Sequence, residues 1–449
     1  MTHDPVVAWG EGLDDALAQE SADWLDRRQR AIGLAFGARA LCTVLRPRFL
    51  RTTEYDALRT MSAELLGALR TAGEAAAVDP VLRAQFRLTD WEETLLAAAP
   101  RLDALCPLSR LDAFIDPDGI PQITEYNGET PAGGGYCDAL TEIFLALPAM
   151  RGFVEQWQVR PLPNRPNILN VLLETWHRFR GVRSLPSIAI VDWDDVPTTS
   201  EFRLCQERFE AMGLHCVITT PDALSYEGGV LRDENGTGID LIYKRVLIHE
   251  LVAHGGLAHP LVRAVIDGAT CLVNPFSCKP LHKKASLAVL SDERNADLFS
   301  TSQRAAIARH VPWTRVIEAR HTSVDGVTVD LVPWILEHRD ELVLKPNDDY
   351  GGAGIVLGWE ADAATWEAAV ARGMAEPSIV QRKIVLPRES FPAMAGGHVV
   401  WEDRIVDTAP FCYHGAWMDG LLSRISTSSL VNVTAGGGST VPTFVVEPR

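Results

Sequence analysis

The chain has no apolar run that approaches a membrane span. Its longest, such as Ile143-Phe144-Leu145-Ala146-Leu147, fall far short of the roughly 20 residues a spanning helix needs. It has no excess of basic residues either. A net charge of −17 argues against a phosphate-backbone binder, which carries a basic face. Neither a membrane nor a nucleic acid is therefore expected as a partner. Met1-Thr2-His3-Asp4-Pro5 shows no basic region followed by an apolar core, so no secretory leader is expected and a cytoplasmic place is. Cys42, Cys106, Cys137, Cys205, Cys216, Cys271, Cys278 and Cys412 form no CxxC pair. That spacing speaks against structural zinc and for reduced, buried thiols. There is no internal repeat and no low-complexity tract. With 47% hydrophobic and 22% charged residues over 449 positions, two or three domains with real cores can form.

What is present changes character along the chain. Leu13, Leu17, Trp24, Leu25, Ile32 and Phe36 recur at helical spacing, and the pattern continues from Tyr55 to Leu69 and from Trp91 to Ala98. From Leu108 the pattern becomes strand-like. Leu111–Ile115 and Pro121–Tyr126 flank Asp116-Pro117-Asp118-Gly119, a strong turn signal. Gly133-Gly134-Gly135 then leads into a helix. After Pro161-Leu162-Pro163, helices and short apolar strands alternate, which predicts a small parallel-sheet domain. Ligands of such sheets sit at the carboxyl ends of the strands. Asp192, Asp194 and Arg245 are candidates there, although the two aspartates suit capping equally well.

Leu342-Val343-Leu344-Lys345 ends an apolar strand. Asn347-Asp348-Asp349-Tyr350-Gly351-Gly352-Ala353-Gly354 is a flexible loop, and Ile355-Val356-Leu357 is a second strand. Glycines let backbone N–H groups approach phosphate oxygens, and a neighbouring lysine adds a point charge. The Gly-Lys-Ser/Thr ending of a P-loop is missing. A plain turn is the alternative.

Four other segments carry chemistry. If the strands at 111–126 pair, Asp112 and Glu125 share a face, and Glu125 and Asn127 share it by alternation. Two carboxylates and an amide oxygen suit Mg²⁺; a polar hairpin turning at Asn127-Gly128 is the alternative. Lys279, His282, Lys283 and Lys284 crowd together in an otherwise acidic protein. They form either a solvated face or a site in which one lysine, with Lys284 favoured, reaches phosphate. Ile379-Val380-Gln381-Arg382-Lys383-Ile384 reads as a strand edge that either offers groups to a base or is ordinary sheet. Arg424, on a strand before the glycine-rich Gly436-Gly437-Gly438-Ser439, suits the charge of a transferring phosphate but equally a surface strand.

Together these segments resemble the circularly permuted ATP-grasp superfamily, which includes glutathionylspermidine synthase and the type 2 permuted group. Asp112, Glu125 and Asn127, with Arg110 before and Thr130-Pro131 after, resemble its magnesium motif. Lys283-Lys284-Ala285 resembles its Asn-Lys-Ala lysine region. Glu129 stands where the family has Asp. The likeness runs from about Leu108 to the C-terminus, and no amidase domain precedes it.

The resemblance implies an α/β (α+β) fold, an ATP-grasp circularly permuted, with an inserted small parallel α/β domain and a helical N-terminal region. The expected divisions are 1–105 helical, 106–160 metal-bearing strands, 161–270 Rossmann-like and 271–449 the rest of the core. It also implies an ATP-dependent carboxylate–amine ligase working through an acyl phosphate, with ATP and Mg²⁺ as cofactors. A non-ligase nucleotide-binding protein and a phosphotransferase are the alternatives. Arg110 and Arg424 would be catalytic. Lys284, Lys345, Tyr350, Gly351, Gly352 and Gly354 would bind ATP phosphates, and Gln381, Lys383 and Ile384 the base. Asp112, Glu125 and Asn127 would hold the metal. Thr130, Gly134 and Arg245 would bind substrate, the first two at a helix N-terminus. Partners would be a small-molecule carboxylate and an amine (amino acid, peptide or polyamine), and a homo-oligomer is left open.

Overall fold

Two runs of strand-forming residues and one turn build the strand pair at the centre of the molecule. In β1 (Leu108–Ile115) and β2 (Pro121–Asn127), Leu111, Ala113, Ile123 and Tyr126 are buried. Asp116 Oδ1 accepts the N–H groups of Asp118 and Ile120, and Gly119 takes a positive φ of 76°. An aspartate that bonds its own following backbone closes a tight turn. The structure is a computed structural model and describes residues 4–36, 39–100, 102–194, 196–349, 351–428 and 438–449.

Among the described residues, β1 and β2 end a large antiparallel sheet. It continues through β13 (Ala409–Tyr413), β14 (Trp417–Ser426), β12 (His398–Val406) and β11 (Arg388–Ala395). A second, four-stranded antiparallel sheet runs β7 (Thr314–Val316), β10 (Ser378–Arg382), β8 (Leu342–Pro346) and β9 (Val356–Leu357). Its own core is Leu331, Ile335, Leu344, Trp366 and Val370.

The third sheet is parallel, as the alternation between 165 and 244 predicts. Its order is β6 (Cys271–Val273), β5 (Leu241–Lys244), β3 (Ile188–Val191), β4 (Cys216–Thr219). β6 lies past the expected boundary at residue 270. At three residues it is too short to show a period, and only its pairing with β5 assigns it.

Leu13 and Ile32 lie just outside the helix Asp15–Ala31 and Phe36 is on a short strand, Ala35–Phe36, but the rest of the helical spacing near the start falls in that helix, α1 (Thr52–Val78) and α2 (Asp90–Ala98). They are not a separate layer. Leu58, Leu65 and Leu69 of α1 share one core with Leu111 and Ile123 and with Ile242 of the parallel sheet. Strand Arg48–Leu50 pairs with Thr443–Pro448, which pairs with Trp157–Pro161. Sequence-distant segments are thus stitched into one body. All eight cysteines are buried and unpaired; burial pushes the Cys106 thiol up to about 12.

Candidate active site

A cleft of about 770 Å³ opens between the large sheet and the four-stranded sheet. The β1–β2 register sets its floor. Asp112 lies directly opposite Glu125, and Arg110 opposite Asn127. Opposed residues of an antiparallel pair point to one face, so all four side chains face the cleft, as the alternation predicts.

Asp112 is gripped by two guanidinium groups. Arg110 Nε and Nη2 donate to its two oxygens at 2.6 and 2.9 Å. Arg424 Nη2 donates at 2.8 Å. Burial alone would raise the Asp112 pKa, but Arg110 and Arg424 outweigh it and hold the carboxyl well below its usual range. Arg424 is itself shared with Asp407, whose Oδ2 accepts from Arg424 Nε at 2.5 Å. Burial wins at Asp407 and raises its pKa despite that partner.

Two lysines stand close to Glu125, of which Lys345 lines the cleft. Lys284 Nζ lies 3.0 Å from Glu125 Oε1 and donates to the Asp349 carbonyl. Burial opposes the Glu125 charge, yet the Lys284 ammonium keeps its pKa below the usual value. Lys345, on β8, donates to the Thr124 carbonyl at 3.0 Å and to Gln381 Oε1 at 2.8 Å. Its burial pushes its pKa down to about 8, with Glu125 only partly countering. A lysine whose charge is this poorly solvated is ready for an anion.

The loop after β8 forms the rim. Gly351 and Gly352 line the cleft. Gly354 has a φ of 68°, and a Cβ there would stand 2.6 Å from Pro346 Cγ. Only glycine fits. Tyr350 and residues 429–437, with Gly436 and Gly437 of the second glycine-rich stretch, lie outside the described residues. The far wall is apolar and aromatic. Ile384, Val385 and Leu386 line it, and Lys383 Nζ sits 4.2 Å from the centre of the Trp359 ring.

Several positions differ from expectation. β10 is an inner strand, hydrogen-bonded to both β7 and β8, not an edge. Its backbone is used up in ladders, and the chain leaves the sheet only after Arg382. Gln381, buried, is occupied by Lys345 and by Thr314. Lys279 and Lys283 point away from the cleft into carboxylates, leaving Lys284 as the lysine of that cluster beside Glu125.

Thr130, Gly134 and Arg245 do not line the cleft, and of the expected phosphate-binding residues neither do Lys284 and Gly354. The helix that follows (α3, Gly134–Leu145) has its N-terminus filled from within: Gly133 and Gly135 donate to the Glu201 carboxylate at 2.9–3.0 Å. An internal anion already meets the demand of that helix end. Arg245 is buried, donating to the Pro131 carbonyl at 2.9 Å. Asp192 is half-sequestered, and burial raises its pKa.

Asp407 and Trp359 were missed. Neither stands in a run with a recognisable spacing. Asp407 lies in the connection between β12 and β13 and Arg424 on β14, and only the structure joins them.

No family model matches the sequence. Over 243 residues, 51% of the chain, it is 32% identical to a putative glutamate–cysteine ligase 2-3 of Frankia alni, covering 26% of that protein. Over 110 residues, 23% of the chain, it is 32% identical to a putative glutamate–cysteine ligase 2-2 of Frankia casuarinae, covering 12% of it. The matches thus span about a quarter or less of those relatives' length. Among solved structures, a glutathione synthetase-like effector (GSS30) of Globodera pallida, in its apoform, superposes over 99% of this chain and 98% of its own. Its TM-score is 0.62 and its identity 13%.

The fold is that of the glutathione synthetase-like effector.

The likeness extends over the whole chain, including the helical region where the motifs are silent. Among the described residues, no helix is long and apolar enough to cross a membrane.

Proposed function

We propose that this protein is an ATP-dependent carboxylate–amine ligase that forms an amide bond through an acyl phosphate. The observation that carries the reading is the shared face of Arg110, Asp112, Glu125 and Asn127, with Arg424 beside it and Lys284 and Lys345 close to Glu125. Carboxylates and cations are interleaved as a metal–polyphosphate site requires. The curated relatives are named as ligases, which supports the general class. The carboxylate motif at 112–127 precedes the glycine loop at 347–354, and on this reading the ATP-grasp is circularly permuted.

Asp112, Glu125 and Asn127 fit a magnesium ion by donor chemistry, hard oxygens on one face. The buried Asn127 Nδ2 has no hydrogen-bond partner. When bound, Mg²⁺ would neutralise charge on the phosphate oxygens. The chain's own groups do the rest. Lys345 and Lys284 hold the phosphates. Arg424 exchanges Asp112 for a phosphoryl oxygen, while Asp407 keeps its Nε end in place. The apolar wall of Ile384 to Leu386 takes the base, with Trp359 and Lys383 beside it.

In the reaction, the substrate carboxylate oxygen attacks the γ-phosphorus. The bond to the bridging oxygen breaks and ADP leaves. The amine nitrogen then attacks the acyl carbon, loses its proton, and phosphate departs with the C–O electron pair. Closure of the loop keeps water from the acyl phosphate.

The test is ADP release with Mg-ATP against a panel of acids and amines, with glutamate and cysteine first because the relatives' names carry them. Dipeptides and polyamines follow. A pair-dependent signal with a product one water lighter than the pair supports the ligase. A phosphorylated product with no amine requirement would replace it with a phosphotransferase.

A further inference from the structure

Behind the glycine loop, three buried lysines meet three carboxylates, and the ligase reading uses none of them. Lys279 Nζ lies 2.8 Å from Asp348, 3.0 Å from Glu129 and 3.9 Å from Glu92. Lys283 Nζ lies 2.7 Å from Glu92 and 3.1 Å from Asp348. Lys244 Nζ lies 3.5 Å from Glu129. His282 touches Glu129 at 3.5 Å, and burial pushes its pKa down to about 4. With that histidine neutral, the charges balance.

Burying six charges is a poor way to gain stability, since desolvation offsets most of the attraction. What such a network does well is fix one geometry. Its members come from five places, Glu129 lying just past the end of β2. Lys279 lies on helix Lys279–His282, with Lys283 just after it; Lys244 ends β5. Glu92 belongs to α2, in the helical region where the sequence offers no chemistry. Asp348 is the network's one member on the phosphate loop. The residue before it is pinned as well. Asn347 accepts from the Ala285 and Lys284 N–H groups at 2.8 and 2.9 Å and donates to the Phe86 carbonyl at 3.0 Å. The loop's root is therefore clamped between the lysine segment and residues 86–92.

We propose that Glu92 is a positioning residue for the phosphate loop: through Lys283 and Lys279 it fixes Asp348, and so sets where the loop begins over the triphosphate. The inference rests on the nucleotide reading of the cleft. Glu92 touches no reacting atom. Its effect is confined to groups the loop covers, which are the β- and γ-phosphates and not the base.

The experiment measures dissociation constants of Mg-ATP and of AMP for the full chain, wild type, Glu92→Gln, Asp348→Asn and the double variant. Glu92→Gln is expected to weaken Mg-ATP about tenfold, within the usual range for coupled buried charges, and to leave AMP unchanged. The double variant should lose no more than Asp348→Asn alone, because both act through the same lysines. An unchanged Mg-ATP constant for Glu92→Gln, equal losses for both nucleotides, or additive losses would each overturn the proposal. If the lone amide prevents folding by stranding a buried ammonium, the neutral pair Glu92→Gln with Lys283→Met carries the same expectation and the same ways to fail. A wild-type chain that binds neither nucleotide removes the nucleotide reading and the inference together. Wild-type binding with an indifferent Glu92→Gln removes the inference alone.

Discussion

Two arginines share one aspartate at the centre of the cleft, and the consequences begin there. Asp112→Asn keeps the shape of the side chain but gives up the charge that Arg110 and Arg424 grip. Turnover should fall at least about a hundredfold, the scale for losing one preorganised electrostatic partner. Circular dichroism should still report a folded chain, because Asp407 continues to hold Arg424. Near-normal ADP release by this variant would remove Asp112 from the site. Lys345 gives a pH signature. Its pKa, near 8 in the free protein, should rise when phosphate supplies the missing partner. Binding then takes up a proton above that pH. Mg-ATP affinity should be full below about pH 8 and weaken by up to about tenfold per unit above it, until the raised pKa of the complex is reached. Titration calorimetry between about pH 7 and 10 checks this, and a flat profile counts against Lys345 as a phosphate ligand.

At the scale of elements, the glycine loop has a fixed root and a permissive tip. Gly354 lies where the two meet Pro346. Gly354→Ala combines a left-handed φ, worth about 1–2 kcal/mol against alanine, with a clash the proline ring cannot avoid. Mg-ATP affinity should drop about tenfold or more while AMP is held as before; equal affinity for both nucleotides would show that this turn plays no part in covering phosphate. The same scale explains what could be read in the sequence. β1 and β2 were legible because strand-forming apolar residues and a strong turn agree, and the register then put Asp112 opposite Glu125. The glycine loop was legible from its flanking strands. The helix N-terminus at Gly133 was legible as an anion site, but not its occupant. Glu201 lies 66 residues from Gly135 in sequence, and no local pattern announces which carboxylate will arrive. Gln381 failed similarly: an amide on a strand looks available until its neighbours in the sheet are known.

For the molecule as a whole, the cleft lies between bodies with separate cores, the small one around Trp366 and the large one shared by helices and two sheets. A ligand gripping both stabilises the native state by mass action. Mg-ATP at about 100 times its dissociation constant should add about 2.7 kcal/mol, read as a rise in the unfolding midpoint; the absence of any shift under saturating nucleotide would be evidence that the cleft does not take it. The helical region illustrates the limit of reading by segment. Its spacing announces helices, and nothing in it announces that Glu92 ends against the loop root, because that contact crosses roughly 250 residues of chain.

The distribution of sulfur has a practical outcome. Every thiol is buried, and none lies between Cys278 and Cys412, the stretch that contains the whole four-stranded sheet. A thiol-reactive dye added to the native protein would therefore be blind to hinge motion of that lobe. It would label only when the main body opens. Labelling rates and nucleotide-lobe dynamics can accordingly be recorded in the same sample as independent clocks, and a cysteine introduced on the lobe would be the lobe's sole reporter.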